Sequence, residues 1–234
     1  MKMKLAYCEN NVNTANLYLQ GRRIAKISAL NPAVVNITNT YTDERVRVEN
    51  FIKDIYKRNY NADIQVHYPV LMSVRNAQDE ILAAAGFRYA AAQPLFLEQY
   101  VGMPLENILH CPRERIVEIG NLASGGQGAS IFLFAALASY LNYKNISYAA
   151  VTGTDFLHRY FKNIGLEPHE ICNADVKAIA CDGQNWGSYY DTRPRVLVDT
   201  LAQSIHCLER AVGAYFEVCD PAFISRLHYK GGEL

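Results

Sequence analysis

Glu118 carries its charge within an apolar segment, and this is where the sequence most clearly suggests chemistry. It lies in the run RIVEIGNLA (Arg115–Ala123), whose length and β-branched residues predict a central strand. Because an unpaired buried charge is costly, this carboxylate must either form an ion pair, for example with Arg88 or Arg115, or line a cleft. In a cleft it would act as a general base or bind the ammonium group of a substrate. Both interpretations stay open.

Glu98 raises the same question in the segment PLFLEQY (Pro94–Tyr100). Its neighbours Phe96, Leu97 and Tyr100 predict burial, which would raise the pKa of its carboxyl group and suit it to proton transfer. The alternative is a solvated carboxylate on a loop. We treat Glu98 as a second catalytic candidate.

The chain's single tryptophan opens an aromatic segment, WGSYY (Trp186–Tyr190). Its rings could wall an acyl or aromatic pocket, although clustered aromatic side chains also commonly belong to a plain core. We predict a substrate pocket formed by Arg88, Phe96, Tyr100, Trp186, Tyr189 and Tyr190.

A glycine-rich loop, SGGQGAS (Ser124–Ser130), follows the strand that holds Glu118 and leads into an apolar segment, Ile131–Asn142, that predicts a helix. Glycines let a ligand approach the backbone closely, and N–H groups at the start of a helix favour an anion such as a phosphate. The loop lacks both the Lys-Ser/Thr pair of a P-loop and the G-x-G-x-x-G spacing of a dinucleotide fingerprint. A tight turn that needs glycines for steric reasons is the alternative.

These candidates require a particular order of elements. The strand, the glycine loop and the helix are followed by a second strand (Ile146–Thr152) and a second helix (Asp155–Ile164), which Gly165 caps. This βαβα order predicts at least one parallel strand pair with a right-handed crossover. The expected fold class is α/β (α+β), a mixed central sheet flanked by helices.

Further elements are predicted on both sides of this unit. Apolar spacing and start signals indicate a helix, a hairpin of two antiparallel strands, a short helix, two short strands near the beginning and an amphipathic helix near the end. The first helix covers Thr40–Tyr60, the hairpin Tyr68–Arg75 with Ile81–Tyr89, and the short helix Pro104–His110. The two short strands cover Arg23–Ser28 and Val34–Thr38, and the amphipathic helix covers Val196–Val218. We expect one domain over 1–198, with an uncertain segment at 1–40, and a helical tail over 199–234.

The composition restricts the classes of function. Lys plus Arg and Asp plus Glu both total 23, so the formal net charge is zero and gives no reason to expect nucleic acid as a partner. The six cysteines form no C-x-x-C pair and the histidines have no metal-binding spacing, so we expect reduced thiols, no metal and a cytoplasmic protein. We also expect no export signal and no membrane span, since glycines interrupt the longest charge-free stretch, Ile119–Tyr143.

Several of these segments together resemble the thermostable hemolysin family. The resemblance rests on PLFLEQY, IVEIGNLA, VTGTDFLHRYFKNIGL and WGSYY followed by P-x-V (Pro194–Val196), and spans about Glu44–Val198. Sequences of that family are similar to acyltransferases of the Gcn5-related (GNAT) fold, near the acyl-homoserine-lactone synthases. Where those synthases carry Glu-x-Ser-Arg on a strand, Glu118 matches the glutamate and Asn121 replaces the arginine. The resemblance implies a GNAT-like architecture with an extra C-terminal helix.

The resemblance also implies roles for individual residues. An acyl thioester would lie in a splay between the strands at 116–122 and 146–152, with phosphate groups at the glycine loop. That loop is similar to the family pattern Gln/Arg-x-x-Gly-x-Gly/Ala, with Ala123 in place of the leading residue. The residues implied in thioester binding are Gly120, Leu122, Ala123, Gly126, Gln127, Gly128 and Ala129. Those implied in catalysis are Glu118, Glu98 and Asn121, with Tyr160, Tyr189 or Tyr190 as the acid for the leaving thiolate.

The resulting hypothesis is an N-acyltransferase that moves a fatty acyl group from acyl-CoA or an acyl carrier protein to a small amine or amino acid, with no tightly bound cofactor. Because no basic residue lies in 116–143, a carrier protein is a serious donor candidate. It would dock on a basic patch such as Arg113/Arg115 or Lys53/Lys57/Arg58. A homodimer is also considered. The alternatives are a membrane-active lytic protein without enzymatic activity and a thioester-binding module that has lost catalysis.

Overall fold

Strands from almost the whole chain combine into one mixed sheet. The structure, a computed structural model, describes residues 2–9, 12–39, 42–179 and 185–219. The strands in these ranges are β1 (Lys2–Glu9), β2 (Val12–Gln20), β3 (Pro32–Thr38), β4 (Val70–Asn76), β5 (Ile81–Tyr89), β6 (Ile116–Ser124), β7 (Tyr148–Gly153), β8 (His169–Asn173), β9 (Arg195–Thr200) and β10 (Tyr215–Val218). Their order across the sheet is β10-β2-β1-β3-β4-β5-β6-β7-β9-β8, with β1/β3 and β6/β7 parallel. The expected mixed sheet is confirmed.

Helices cover both faces of this sheet. They are α1 (Gly21–Ile24), α2 (Asp43–Tyr60), α3 (Glu98–Val101), α4 (Leu105–Leu109), α5 (Ser130–Tyr143), α6 (Asp155–Asn163) and α7 (Leu201–Val212). The apolar stripe of α2 packs on one face, near Ala84 and Ala123. On the other face α5 is buried from Ile131 to Leu141, because it lies between the sheet and α7. Each face therefore has its own apolar core.

Several predicted elements are present with small changes. The expected hairpin is formed by β4 and β5, which pair antiparallel. The predicted first helix corresponds to α2, but its N-cap is Thr42, whose side chain accepts a hydrogen bond from the Arg45 N–H. The proposed start signal at Thr40 lies outside the described residues. A cap directly before the first helical residue satisfies an N–H group of the first turn, so Thr42 is the better placed threonine.

Two predicted elements are wrong. The strand expected at Arg23–Ser28 is instead the end of α1 and a turn. The helix expected over Val196–Val218 is divided into β9, α7 and β10. Thr200 caps α7 by accepting from the Gln203 N–H, and Gly213, at a φ of +63°, ends it. Buried apolar residues in β9 satisfied the helical spacing by coincidence, because they alternate on a strand that pairs with β7.

The C-terminal part of the described chain packs on the rest of the molecule. Helix α7 contacts α5, and β10 pairs with β2 at the edge of the sheet. The division at 198/199 stays a prediction, and residues 220–234 lie outside the described ranges. No described helix combines the length and the apolarity that crossing a bilayer requires. Five cysteines in the described ranges are free thiols, and Cys181 lies outside them.

Candidate active site between two diverging strands

The parallel strands β6 and β7 pair over only part of their length. Their ladder ends where Ile119 faces Val151, whereas β6 continues to Ser124 and stays paired with β5. The register between β5 and β6 shifts beside Asn121, whose φ of +49° is in the left-handed region. A bulge of this kind bends its strand, which accounts for the separation from β7. The splay expected between the two strands is present.

Glu118 lies just before this divergence, on the face of the sheet that α2 covers. It is 1% exposed, and its Oε1 accepts hydrogen bonds from Tyr68 Oη at 3.0 Å and the Leu97 N–H at 3.1 Å. Its Oε2 accepts from the Phe96 N–H at 2.7 Å. Arg88 stands opposite on β5 with its Nε 3.5 Å from Oε2. The ion pair considered from the sequence therefore exists.

The surroundings of Glu118 raise its pKa. Burial is the largest cause, and Arg88 and the hydrogen-bond donors lower the pKa only enough to offset part of that effect. Of the two arginines considered as its partner, Arg88 makes the pair and Arg115 is exposed elsewhere. A carboxylate with a raised pKa holds a transferred proton more firmly than an ordinary one. Glu118 is therefore paired and still suited to accept a proton.

Two facing glycines make room for Tyr68 above Glu118. Gly86 and Gly120 are partners across β5 and β6. A Cβ atom at Gly120 would stand 2.0 Å from Tyr68 Oη, and one at Gly86 would stand 2.5 Å from the Cβ of the tyrosine. The guanidinium of Arg88 stacks on the ring, 4.6 Å from its centroid. The apolar run predicted Tyr68 to lie in a strand, whereas β4 begins at Val70, so the role of Tyr68 was not foreseen. The glycine pair was the available signal.

Glu98 is held differently. Its carboxylate accepts hydrogen bonds from Arg113 at 2.7 and 3.0 Å, and from the Leu95 and Leu105 N–H groups, both at 2.9 Å. Burial by itself raises the pKa of Glu98. Arg113 and the two N–H groups together lower it by more, so the pKa lies below its usual range. The raised pKa expected from the sequence is therefore wrong. Glu98 instead fastens the segment 95–105, which supplies backbone donors to the other glutamate.

The glycine loop between β6 and α5 offers fewer donors than expected. Gly126 donates its N–H to Ser124 Oγ, and Ala129 donates to the Gly126 carbonyl. Gln127 and Gly128 have positive φ values, and their N–H groups have no partner within the described part of the chain. A Cβ atom at Gly128 would stand 2.6 Å from the Ile27 carbonyl oxygen, so a close approach requires this glycine. The loop thus has a steric reason for a glycine and also two available N–H groups.

An apolar pocket lies on the α5 face of the divergence. Of the residues predicted to bind the thioester, Leu122 lines this pocket, whereas Ala123 is buried in the α2 core and Gly120 faces the other side. The pocket is lined by Ile119, Leu122, Phe134, Leu137, Ala138, Leu141, Ala149, Val151, Phe161, Leu166, Pro168, Leu197, Asp199, Leu201, Ser204 and Leu208.

A second, aromatic pocket lies on the α2 face. Five of the predicted pocket residues line it together: Arg88, Phe96, Tyr100, Trp186 and Tyr189. Tyr190 lies beside them, with its Oη 2.6 Å from Tyr100 Oη. Asn121 and Gly120 complete the wall next to β6, and Asn121 hydrogen-bonds the Tyr56 hydroxyl. The lining residues that sequence reasoning missed are Tyr56, Gln65, His67, Tyr68 and Thr152.

The three tyrosines considered as an acid occupy different positions. Tyr189 is buried and its hydroxyl donates to the Thr152 carbonyl, while Tyr190 contacts Tyr100. Tyr160 on α6 has a buried hydroxyl without a hydrogen-bond partner in the described residues. Its ring lies 5.9 Å from that of Phe134, which lines the apolar pocket. Burial raises the pKa of Tyr160, so its hydroxyl keeps its proton at neutral pH.

Comparison with known proteins gives one family and several similar structures. The family described as Thermostable hemolysin matches residues 38–205. No curated protein matches the chain significantly. TofI in an apo form superposes with a TM-score of 0.54 at 15% identity, covering 80% of this chain and 98% of TofI. FeeM, an N-acyl amino acid synthase from uncultured soil microbes, gives 0.54 at 14%, covering 77% and 97%. BjaI, a CoA-dependent acyl-homoserine lactone synthase with SAM and isopentyl-CoA, gives 0.54 at 13%, covering 76% and 89%.

These matches confirm the family and the fold expected from the sequence. At 13–15% identity the structural likeness establishes the fold alone, and the mixed sheet flanked by helices is the GNAT-like architecture. The family match covers well over half of the 234 residues. The chain belongs to the thermostable hemolysin family and has the GNAT-like fold found in acyl-homoserine-lactone synthases.

Proposed function

We propose that the chain is an acyltransferase that moves a fatty acyl group from an acyl thioester to the amino group of a small acceptor. The arrangement of the two pockets carries the proposal. They lie on opposite faces of the sheet and reach the same gap between β6 and β7. Ile119, Leu122 and Val151 line the apolar pocket there, and Gly120, Asn121 and Thr152 line the aromatic one.

The donor fits the apolar side of this gap. Hydrocarbon walls favour a fatty acyl chain, since burying it removes apolar surface from water. The thioester carbonyl would lie in the gap, where β6 beyond Ile119 has no pairing with β7. A strand N–H freed by the divergence can stabilise the oxyanion of the tetrahedral intermediate. The N–H groups of Gln127 and Gly128 would receive a phosphate of the donor.

The acceptor amine would enter from the aromatic side, against Tyr68. The hydroxyl of Tyr68 lies against Gly120 and donates to Glu118 Oε1 at 3.0 Å. Because Glu118 is 1% exposed, it acts on the amine through this hydroxyl rather than by direct contact. Burial and the neighbouring carboxylate raise the pKa of Tyr68, so the hydroxyl is protonated and can relay a proton.

The bonds and protons then balance in one sequence. The lone pair of the neutral amine attacks the thioester carbonyl carbon and forms the carbon–nitrogen bond. The nitrogen gives its proton to Tyr68 Oη while the Tyr68 proton moves to Glu118 Oε1. The carbon–sulfur bond breaks, and the thiolate takes the proton of the Tyr160 hydroxyl. Glu118 then releases its proton to solvent and the Tyr160 phenolate takes one from solvent, which restores both groups. Asn121 holds the bulge that opens the gap, and Glu98 acts as a positioning residue.

The donor is acyl-CoA or an acyl carrier protein, and the loop favours the carrier. With two N–H groups and no basic residue in 116–143, the loop itself offers little to a pyrophosphate. Arg113 is unsuited to docking a carrier because Glu98 and Glu106 already bind its guanidinium. The patch Lys53/Lys57/Arg58 on α2 stays the candidate docking surface.

The test supplies the purified chain with acyl-CoA and acyl carrier protein donors of several chain lengths and a mixture of primary amines and amino acids. We expect equal amounts of free thiol and N-acyl product, measured by thiol titration and mass spectrometry. Ala149→Phe, which adds a ring to the apolar pocket, should slow transfer of long chains and spare acetyl transfer. Ala202→Phe, at an exposed site on α7, is the matched control.

Two results would contradict the proposal. One is the absence of product with every donor and acceptor from a preparation whose melting temperature shows that it is folded. The other is leakage from liposomes caused by the chain without any acyl donor. That second result would favour the membrane-active alternative, since an enzyme needs its substrate to act.

A further inference from the structure

Three residues that line the aromatic pocket carry buried polar atoms without hydrogen-bond partners in the described part of the chain. They are Arg88 Nε, Trp186 Nε1 and Thr152 Oγ1. Each can donate a hydrogen bond. Buried polar groups are normally paired, so unpaired donors around one pocket indicate a ligand group that accepts hydrogen bonds.

The charge of the pocket makes that group an anion. Arg88 carries the one permanent charge among the described lining residues, and its side chain is 11% exposed. Its nearest carboxylate, Glu118, is 3.5 Å away and already accepts hydrogen bonds from Tyr68 and two backbone N–H groups. One Nη of the guanidinium also donates to the His67 carbonyl at 3.4 Å, and the donors that remain keep the capacity to bind a second carboxylate.

The geometry of the pocket indicates how far the amino group of the ligand lies from its carboxylate. The Arg88 guanidinium stacks on the Tyr68 ring, so a carboxylate on Arg88 lies close to the Tyr68 hydroxyl that would receive the amine. An α-amino acid has its amino group one carbon from its carboxylate, which matches this proximity. Apolar surface for its side chain comes from Tyr56, Phe96, Tyr100, Trp186 and Tyr189.

We infer that the acceptor is an apolar α-amino acid whose carboxylate is bound by Arg88 and Trp186. This inference rests on the proposed acyl transfer and narrows the acceptor. It distinguishes the site from one for an uncharged or cationic amine, which would bring no second anionic group to Arg88 besides Glu118.

The first experiment compares three acceptors with one acyl donor: L-phenylalanine, L-phenylalaninamide and 2-phenylethylamine. We expect kcat/KM for the acid to exceed that for the other two by about 10- to 100-fold, the effect of one charge-assisted hydrogen-bonded contact. Equal transfer to all three would overturn the inference and leave the acyltransferase proposal intact. Transfer to none would contradict the acyltransferase proposal itself.

Calorimetric binding without donor tests the acceptor site apart from turnover. We expect the chain to bind L-phenylalanine more tightly than its amide, and equal or absent binding of both would overturn the inference. Arg88→Gln should bring the two kcat/KM values close together, Arg88→Lys should restore part of the difference, and Trp186→Phe should reduce it while retaining the ring. Because the ratio is compared, a general loss of activity from the altered contact with Glu118 cancels.

Discussion

Glu118 is fully buried and Glu98 is half-buried; the two carboxylates are held by the same kinds of partner, but their pKa values shift in opposite directions. Glu98 accepts two hydrogen bonds from the Arg113 guanidinium and one from each of two backbone N–H groups, and its pKa is lowered. Glu118 receives two backbone N–H groups and a tyrosine, but Arg88 approaches no closer than 3.5 Å, and its pKa is raised. The two differ in depth of burial and in how fully an arginine neutralises them.

This difference predicts a structural role for Glu98 and a chemical role for Glu118. A carboxylate bound by two short guanidinium contacts is stabilised as an anion and holds a protein segment in place. A carboxylate that is deeply buried and only partly neutralised retains an affinity for a proton. The two residues are structurally linked, because Glu98 holds the segment whose backbone N–H groups donate to Glu118. The predictions below test whether the two roles can be separated.

The largest effect is expected from breaking the proton path. Glu118→Gln removes the acceptor, and Tyr68→Phe removes the relaying hydroxyl while retaining the ring over Gly120. Each should lower kcat of acyl transfer by about 10²–10⁴-fold, the usual contribution of general-base catalysis. The double variant should be little worse than either single variant, since both remove the same path. Steady-state kinetics with saturating donor measures this, and circular dichroism checks the fold.

Unchanged turnover in a folded Tyr68→Phe variant would remove the relay from the mechanism. Independent, multiplying losses in the double variant would show that the two groups act separately.

The βαβα unit, the family and the place of Glu118 on a central strand could be predicted from the sequence, because strand alternation and the glycine loop are local signals. It did not separate the two glutamates. Arg113 reaches Glu98 at 2.7 Å, whereas Arg88 stays 3.5 Å from Glu118. These distances depend on the register between strands and on the path of the roughly 20 residues between the two glutamates, and no local sequence pattern encodes either. Tyr68 was missed for the same reason: its role arises from the pairing of Gly86 with Gly120.

The next largest effect is expected on folding stability, from breaking the ion pair between Arg113 and Glu98. Arg113→Ala leaves this carboxylate without its guanidinium and should destabilise the fold by about 2–3 kcal/mol, less than for a fully buried pair because Arg113 is 23% exposed. Glu98→Gln should also destabilise the fold, because its single amide oxygen can accept from only one of the Leu95 and Leu105 N–H groups, which bond different carboxylate oxygens. Urea unfolding measures both. A loss of kcat without any loss of stability in Arg113→Ala would assign Glu98 a direct chemical role.

A smaller effect is expected from Gly120→Ala. The added Cβ atom would meet Tyr68 Oη at 2.0 Å, so the ring must move away from Glu118. Overpacking of this kind costs about 1–3 kcal/mol. Activity should fall more than stability, because the displaced hydroxyl interrupts the relay. Gly102→Ala is the control for a glycine with open space around it, although its φ of +77° adds backbone strain. Equal activity in both variants would contradict the placement of Tyr68.

The smallest expected effect concerns how folding stability depends on pH. The contributions of Glu98 and Glu118 to stability should change with pH in opposite directions. Glu98 has a lowered pKa in the folded state, so its contribution to stability is complete above the unfolded value of about 4.3 and is lost as the pH falls through the folded pKa. Glu118 has a raised pKa in the folded state, so its contribution is greatest below about 4.3 and declines as the pH rises through the folded pKa.

Measuring urea unfolding of the wild type, Glu98→Gln and Glu118→Gln across this range separates the two contributions. The stability difference between wild type and Glu98→Gln should shrink on acidification below about pH 4.3. The difference between wild type and Glu118→Gln should shift against the wild type as the pH rises above that value, because the unfolded state releases its proton more readily than the folded state does. If both differences changed with the same sign, the two carboxylates would be structurally equivalent, and the distinction between a fastening glutamate and a proton-accepting one would fail.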